Sequence, residues 1–207
     1  MSKGARLRAA RRVQDDARTP LEMLRECVIA VGDAFGTRSM CVEAACVLQQ
    51  VGELLGFDLE VRPVAVLMRD KANGYTAAMG TKAEAFLSKD FLGEVINERP
   101  SDVGPTGHVV LTCADPLLLL DANLRQVGRG GLDAPSIWMS IRSDNSRDGG
   151  WRYEDENLLV VYLVDDEDRS LLENYDEVRQ SWAGVAVALV QLVRAGASAD
   201  ELLPAFG

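Results

Sequence analysis

Histidine is almost missing from this sequence: His108 is the only one in 207 residues. Cysteine is scarce as well, with Cys27, Cys41, Cys46 and Cys113 scattered among aliphatic residues and no CxxC spacing. One histidine and no cysteine cluster exclude an ordinary zinc site, so no metal is expected. The same four cysteines make no disulfide framework; they read as free thiols of a reducing compartment, which points to the cytoplasm. No apolar run approaches the roughly 18 to 20 residues that cross a bilayer, so no membrane role is expected. The start, Met1-Ser2-Lys3-Gly4-Ala5-Arg6, is basic but lacks the apolar stretch of a secretory signal. Positive charge is in short supply, with 22 Lys and Arg against 32 Asp and Glu, a net charge of −10. That balance excludes general nucleic-acid binding, because phosphate contacts need positive potential.

What is present is an ordinary globular composition, 47% hydrophobic and 26% charged, long enough for a sizeable core. Residues 1 to 18 form a basic segment with Lys3, Arg6, Arg8, Arg11, Arg12 and Arg18 against Asp15 and Asp16. It reads as a solvated surface helix or a tail for an acidic partner. Residues 19 to 207 read as one domain.

Thr19-Pro20-Leu21-Glu22 has the form of a helix start, with Thr as cap, Pro first and Glu third. Leu21, Leu24, Val28 and Val31 keep helical spacing, and Gly36 ends the helix. Thr37-Arg38-Ser39 offers polar capping groups before Met40-Cys41. From Cys41 to Leu55 the residues are apolar on most faces, which describes a central buried helix closed by Gly56. Leu59 to Met68 alternates as a strand, and Pro63 suggests an edge or a bulge. Residues 70 to 106 read as a long insertion with short helical pieces near Lys82 to Leu87 and Asp90 to Ile96. Such an insertion often walls a cleft.

Gly107-His108-Val109-Val110-Leu111-Thr112-Cys113 is then a strand, Ala114-Asp115-Pro116 a turn, and Leu117 to Asp121 a second strand. Gly128, Gly130 and Gly131 mark a flexible loop. Further strands are expected at Ser136 to Ile141 and Leu158 to Val164, with a turn from Asp144 to Gly150 between them. Ser170 to Arg194 reads as one long C-terminal helix. The fold class is therefore α+β: N-terminal helices, a central buried helix on an antiparallel sheet, and a long C-terminal helix.

The chemistry concentrates on three residues. A thiol is a nucleophile only as thiolate, and the dipole at a helix start favours that form. Cys41 alone of the four cysteines stands at such a start. A histidine that works as a base needs an orienting carboxylate. His108 and Asp121 begin and end two adjacent short strands, so their strand ends meet. Asp closing a run of four leucines is unusual, because Asp is depleted in strands and costly to bury alone. Its simpler role is to cap the Asn123-Leu124-Arg125 turn. Gln126 or the N–H of Cys41 is the candidate oxyanion donor.

Cys41-Val42-Glu43-Ala44-Ala45, Leu55-Gly56-Phe57, Val61 to Val66, Gly107-His108-Val109-Val110 and Leu119 to Gln126 together resemble the core of transglutaminase-like enzymes within the papain-like superfamily. The core is also similar to arylamine N-acetyltransferases, which carry Cys-x-Glu and a Leu-Gly-Phe helix end. This chain departs from them at Thr37-Arg38-Ser39-Met40 and Ala122-Asn123-Leu124. It departs from transglutaminases proper at Val42, where they have Trp. The resemblance covers roughly residues 37 to 126. It implies a Cys41, His108, Asp121 triad acting through a thioester on a peptide, protein or small amide substrate, with no cofactor. A non-catalytic binding protein and an acetyl-CoA-dependent acyltransferase are the alternatives. For the latter, Gly128-Arg129-Gly130-Gly131 is the only phosphate-binding candidate.

Overall fold

The computed structural model describes residues 18–84, 87, 92–96, 107–130, 134–147, 149–167, 170–173 and 175–206. The basic segment before residue 18, the stretches at 85–86, 88–91 and 97–106, and Gly131 lie outside the described residues.

Two helices open the described chain. In α1 (Pro20–Phe35), Thr19 Oγ1 accepts the Glu22 N–H and the Glu22 carboxylate accepts the Thr19 N–H, a full capping box. α2 (Cys41–Leu55) ends at Gly56, whose φ of 90° is the left-handed conformation that a residue with a Cβ resists. Its N-cap is Met40, which has no capping oxygen of its own. The expectation of a polar cap from Thr37-Arg38-Ser39 is thus corrected for the cap position itself.

β1 (Leu59–Asp70) follows, then β2 (Thr76–Met79), a short helix α3 (Thr81–Glu84) and β3 (Gly93–Ile96). β4 (His108–Ala114) and β5 (Leu117–Asp121) form a hairpin around Asp115-Pro116, and a 3-10 helix spans Leu124–Gly130. β6 (Ile137–Ser140), β7 (Ser146–Arg147), β8 (Gly150–Glu154) and β9 (Leu158–Val164) complete the sheet. α4 (Tyr175–Ser181), α5 (Ala183–Arg194) and α6 (Ala199–Leu202) close the described chain, α4 preceded and α6 followed by a 3-10 turn.

The sheet runs β6-β5-β4-β1-β9-β8-β7, with β2 added beside β1 and β3 beside β2. All pairs are antiparallel except β2 with β3, which is parallel. The sheet curls almost closed: the Asn145 side-chain nitrogen donates to Ser140 O at 2.9 Å, tying β6 to the β7–β8 hairpin. Residues of β6 and β8 line a common cavity of about 380 Å³.

One core lies between the helices and one face of the sheet. It joins Leu24, Val28 and Val31 of α1 with Val47, Leu48 and Val51 of α2 and Leu189 and Val193 of α5. The strands contribute Val109, Leu111, Leu118 and Leu120 to it. A second core fills the inside of the curl, with Val64, Val66, Val110, Leu119, Ile137, Val160 and Tyr162. Adjacent strand residues thus serve opposite cores, as the two-residue period requires. Among the described residues no helix is long and apolar enough to cross a membrane.

Several expectations change. β1 is central rather than an edge, yet Pro63 fits. Its carbonyl faces the β9 side, accepting Asp165 N–H at 3.0 Å, just beyond where the β9 ladder begins at Val64. The missing N–H points to the same side and removes only the reciprocal bond of the Pro63–Asp165 pair, at the end of that ladder. Gly93–Ile96 is a strand, not a helix: Val95 and Ile96 are β-branched and find a parallel partner in β2. The glycine segment after β5 is a 3-10 helix as far as Gly130, not an open loop. The turn expected from Asp144 to Gly150 contains β7 and leads into β8. The long C-terminal helix is broken into a 3-10 turn, α4 and α5. The break falls at Trp182, whose ring packs edge-on against Phe35 at 5.3 Å between centroids.

Candidate active site

The β4–β5 register fixes what His108 can meet. Leu111 pairs with Leu120, and one further step sets Val110 opposite Asp121. His108 is two residues along from Val110 on the same face, so Asp121 is its diagonal neighbour, within reach of long side chains. Both turn toward the inside of the curled sheet, away from the helices that pack on Val109 and Leu120. Gly107 leads the chain into β4 with φ 134°, and a Cβ there would lie 3.3 Å from Val64 O. Glycine lets the strand start this close to β1.

His108 Nε2 lies 2.8 Å from Asp121 Oδ2, and the two residues are 0% and 1% exposed. The carboxylate is fully engaged. Tyr162 OH donates to Oδ2 at 3.0 Å, and the Asn123 N–H donates to Oδ1 at 3.0 Å. Asp121 therefore serves the turn and the histidine at once, one oxygen each. Burial and the neighbouring Asp121 charge keep the Tyr162 phenol protonated, far above its ordinary pKa, so it remains a donor.

Cys41 approaches from the helical side. It is the first residue of α2, buried at 7% exposure. Its sulfur is close enough to the imidazole to act on it both as a hydrogen-bond partner and as a charge. The ring's Nε2 meets Asp121 and its Nδ1 meets the Gln126 amide. Burial alone pulls the His108 pKa down. The Asp121 charge and hydrogen bond, then Cys41, outweigh burial and raise the pKa from 6.5 to about 10. Asp121 thus favours the charged form of the ring.

Asn123 holds the cysteine loop against the strand. Its Oδ1 accepts the Met40 N–H at 3.2 Å and its Nδ2 donates to Gly36 O at 3.1 Å. One buried amide thus ties the end of α1 and the start of α2 to the turn beside Asp121. Gln126 is 1% exposed. Its Nε2 contacts His108 Nδ1 and lies 3.7 Å from Met79 Sδ, while its Oε1 is buried with no partner among the described residues.

Cys41, His108, Asp121 and Gln126, the four residues singled out in the sequence, are thus gathered at one end of the curled sheet. Cys27, Cys46 and Cys113 are buried elsewhere as free thiols. Burial pushes Cys27 and Cys46 up to about 12.

No protein-family model, curated protein or solved structure matches this chain. Sequence reasoning did not single out Tyr162 or Asn123. Tyr162 left one signal: a phenol within the aliphatic run of β9 has to find a partner when buried. Among the described residues no group of three or more His, Cys, Asp and Glu is placed to hold a metal.

Proposed function

We propose that the protein is a thiol-dependent hydrolase or amide/acyl transferase of transglutaminase-like type. Its triad is Cys41, His108 and Asp121, and its substrate a peptide, protein or small amide. The observation that carries this reading is the buried His108–Asp121 pair with Cys41, at a helix start, interacting with the same imidazole. The order helix cysteine, strand histidine, next-strand aspartate supports it.

The geometry supports the following roles. The Cys41 thiolate forms a C–S bond to the carbonyl carbon, and the π pair moves to oxygen. On collapse the C–N bond breaks and His108 hands its proton to the departing amine. Water or an amine then attacks the thioester, losing its proton to His108, and the Cys41 thiolate leaves. Asp121 keeps Nε2 protonated and stabilises the ring's charge throughout. Tyr162 and Asn123 hold Asp121 in place. The N–H of Cys41, in the first turn of α2, has no intrahelical acceptor, and it and Gln126 are the candidate oxyanion donors.

A second reading is a binding protein that keeps the core without turnover, favoured by the complete burial of His108. Intact mass separates the two. An ester or amide-derived acyl probe is expected to add one acyl group to the wild type and none to Cys41→Ser. Acetylation by acetyl-CoA, lost in Cys41→Ser, would move the assignment to the acetyltransferase branch. No adduct from any donor would leave the binding protein.

A further inference from the structure

We infer that the gap between β6 and β8 is a docking slot for an extended segment of a partner polypeptide, which enters as one more strand and closes the curled sheet. The inference uses none of the triad residues and stands apart from the thiol chemistry.

Asn145 shows how wide the gap is. Its carbonyl accepts the Arg152 N–H of β8 at 2.8 Å, and its side-chain Nδ2 donates to Ser140 O of β6 at 2.9 Å. A single residue bridges the two strands, so they stand one strand apart at that level. From Asn145 the chain runs one way into β7, where Ser146 and Arg147 pair with Trp151 and Gly150. The other way it turns back to Arg142, whose carbonyl accepts the Asn145 N–H. The line of β7 is therefore not continued past Asn145. Five antiparallel pairings separate β6 from β8, so the two strands run in opposite directions. From Ser140 and Arg152 they lead on to Trp138 and Glu154, and no described strand stands between them there. These stretches line the cavity of about 380 Å³.

The ladder phases aim backbone groups into that gap. The Ile141 N–H donates to Leu117 O at 3.0 Å just past the β5 ladder, so Met139 and Ile137 also bond toward β5. Trp138 and Ser140 turn their peptide groups the other way. On β8, Val164 N–H donates to Gly149 O and Asp155 N–H to Leu158 O, which commits Trp151 and Tyr153 to β9. Arg152 and Glu154 face the gap, as the Arg152 N–H on Asn145 shows. Among the described residues, the Ser140 N–H, the Arg152 carbonyl and both peptide groups of Trp138 and Glu154 meet no partner. Open strand edges of this kind are templates for another chain.

The charges favour a polypeptide over an ion. Arg142, Asp144, Arg152 and Glu154 cancel at the cavity, and Arg152 Nη2 already donates to Glu154 at 2.5 Å. What is left unmatched is a row of neutral peptide dipoles on each side. An extended backbone carries donors and acceptors along both of its edges and complements both rows at once. Side chains select the segment. Met139 and Tyr153 pack on the inner core, so the entering residue level with them is apolar. Its neighbour, level with Trp138 and the exposed Glu154, points outward and is free to be polar.

The test selects binders of the full chain from a phage-displayed library of random peptides and measures the best one, made synthetically, by fluorescence anisotropy. Ser140→Pro and Glu154→Pro each remove an N–H that faces the gap and none that serves β5 or β9. Glu154→Ala removes the side chain and keeps the N–H. The peptide is also made with alternate backbone amides methylated. Binding is expected to weaken by about tenfold or more in both proline variants and on methylation, the scale of one lost hydrogen bond. It is expected to change little in Glu154→Ala. Circular dichroism identifies a variant that fails to fold, and the methylated peptide, read on the wild type, needs no variant. Amide exchange at Trp138, Ser140 and Glu154 is expected to be fast in the free protein and slow with peptide. No binder, or a binder indifferent to both prolines and to methylation, would overturn the proposal. So would slow exchange at these amides without peptide: in a monomer it would put a segment of this chain in the slot, and in a dimer a second copy.

Discussion

The side-chain oxygen of Asn123 accepts the backbone N–H of Met40 at 3.2 Å across 83 residues of chain. That bond connects the residue before Cys41 to the turn beside Asp121. Asn123→Ala leaves the Gly36 carbonyl without the Asn123 amide and the Met40 N–H with Arg38 O alone, at 2.9 Å. It is therefore expected to cost about 1 to 2 kcal/mol, within the scale for an unpaired buried group. It is also expected to slow Cys41 alkylation more than a surface variant of equal stability cost. Urea unfolding and labelling rates, measured side by side, check both parts.

The charged His108 makes stability depend on pH in a defined window. Its folded pKa is raised from 6.5 to about 10, so its contribution is fully present below pH 6.5 and is lost as pH climbs toward 10. The buried thiols Cys27 and Cys46, raised from 9.0 to about 12, act in the same direction only near and above pH 9. The window from pH 6.5 to 9 isolates the histidine. Wild-type melting temperature is expected to fall across it, and His108→Asn to be nearly flat. Parallel slopes for the two proteins would contradict the charged histidine.

Tyr162 shares the Asp121 oxygen that His108 uses, at 3.0 Å against 2.8 Å. Tyr162→Phe removes one hydrogen bond to a charged group, worth about 1.5 to 3 kcal/mol. The pH slope between 6.5 and 9 is expected to survive, because Asp121 still faces the imidazole. Chemical unfolding of this variant at pH 7 and pH 9 measures both effects.

The local features were legible because their causes are local. Thr19-Pro20-Leu21-Glu22 spells a capping box, and the structure makes it. Gly56 and the Asp115-Pro116 turn likewise carry their own geometry, and the two strands beside that turn bring His108 to Asp121. What stayed hidden depends on partners far along the chain. Asn123 reads as a turn residue until Gly36 and Met40 come within reach. Tyr162 lies 41 residues from the carboxylate it binds. Val95 and Ile96 sit in a short apolar run without a clear period, and only pairing with β2 makes them a strand. Trp182 fits a helical stripe on both sides, yet the chain breaks there and its ring packs against Phe35. Pro63 pointed to an edge or a bulge, and tertiary pairing placed β1 at the centre of the sheet.

In the proposed function Cys41 and His108 act as one unit oriented by Asp121. The most direct measurement needs no substrate: the rate of iodoacetamide labelling of each cysteine at pH 7, by peptide mapping, in wild type and His108→Asn. Label is expected on Cys41 well ahead of Cys27 and Cys46, whose buried thiols are pushed up to about 12. In His108→Asn the Cys41 rate is expected to fall by about tenfold or more, because thiolate reactivity depends on the adjacent imidazolium. An unchanged Cys41 rate in His108→Asn, or label that reaches all four cysteines only on unfolding, would contradict it.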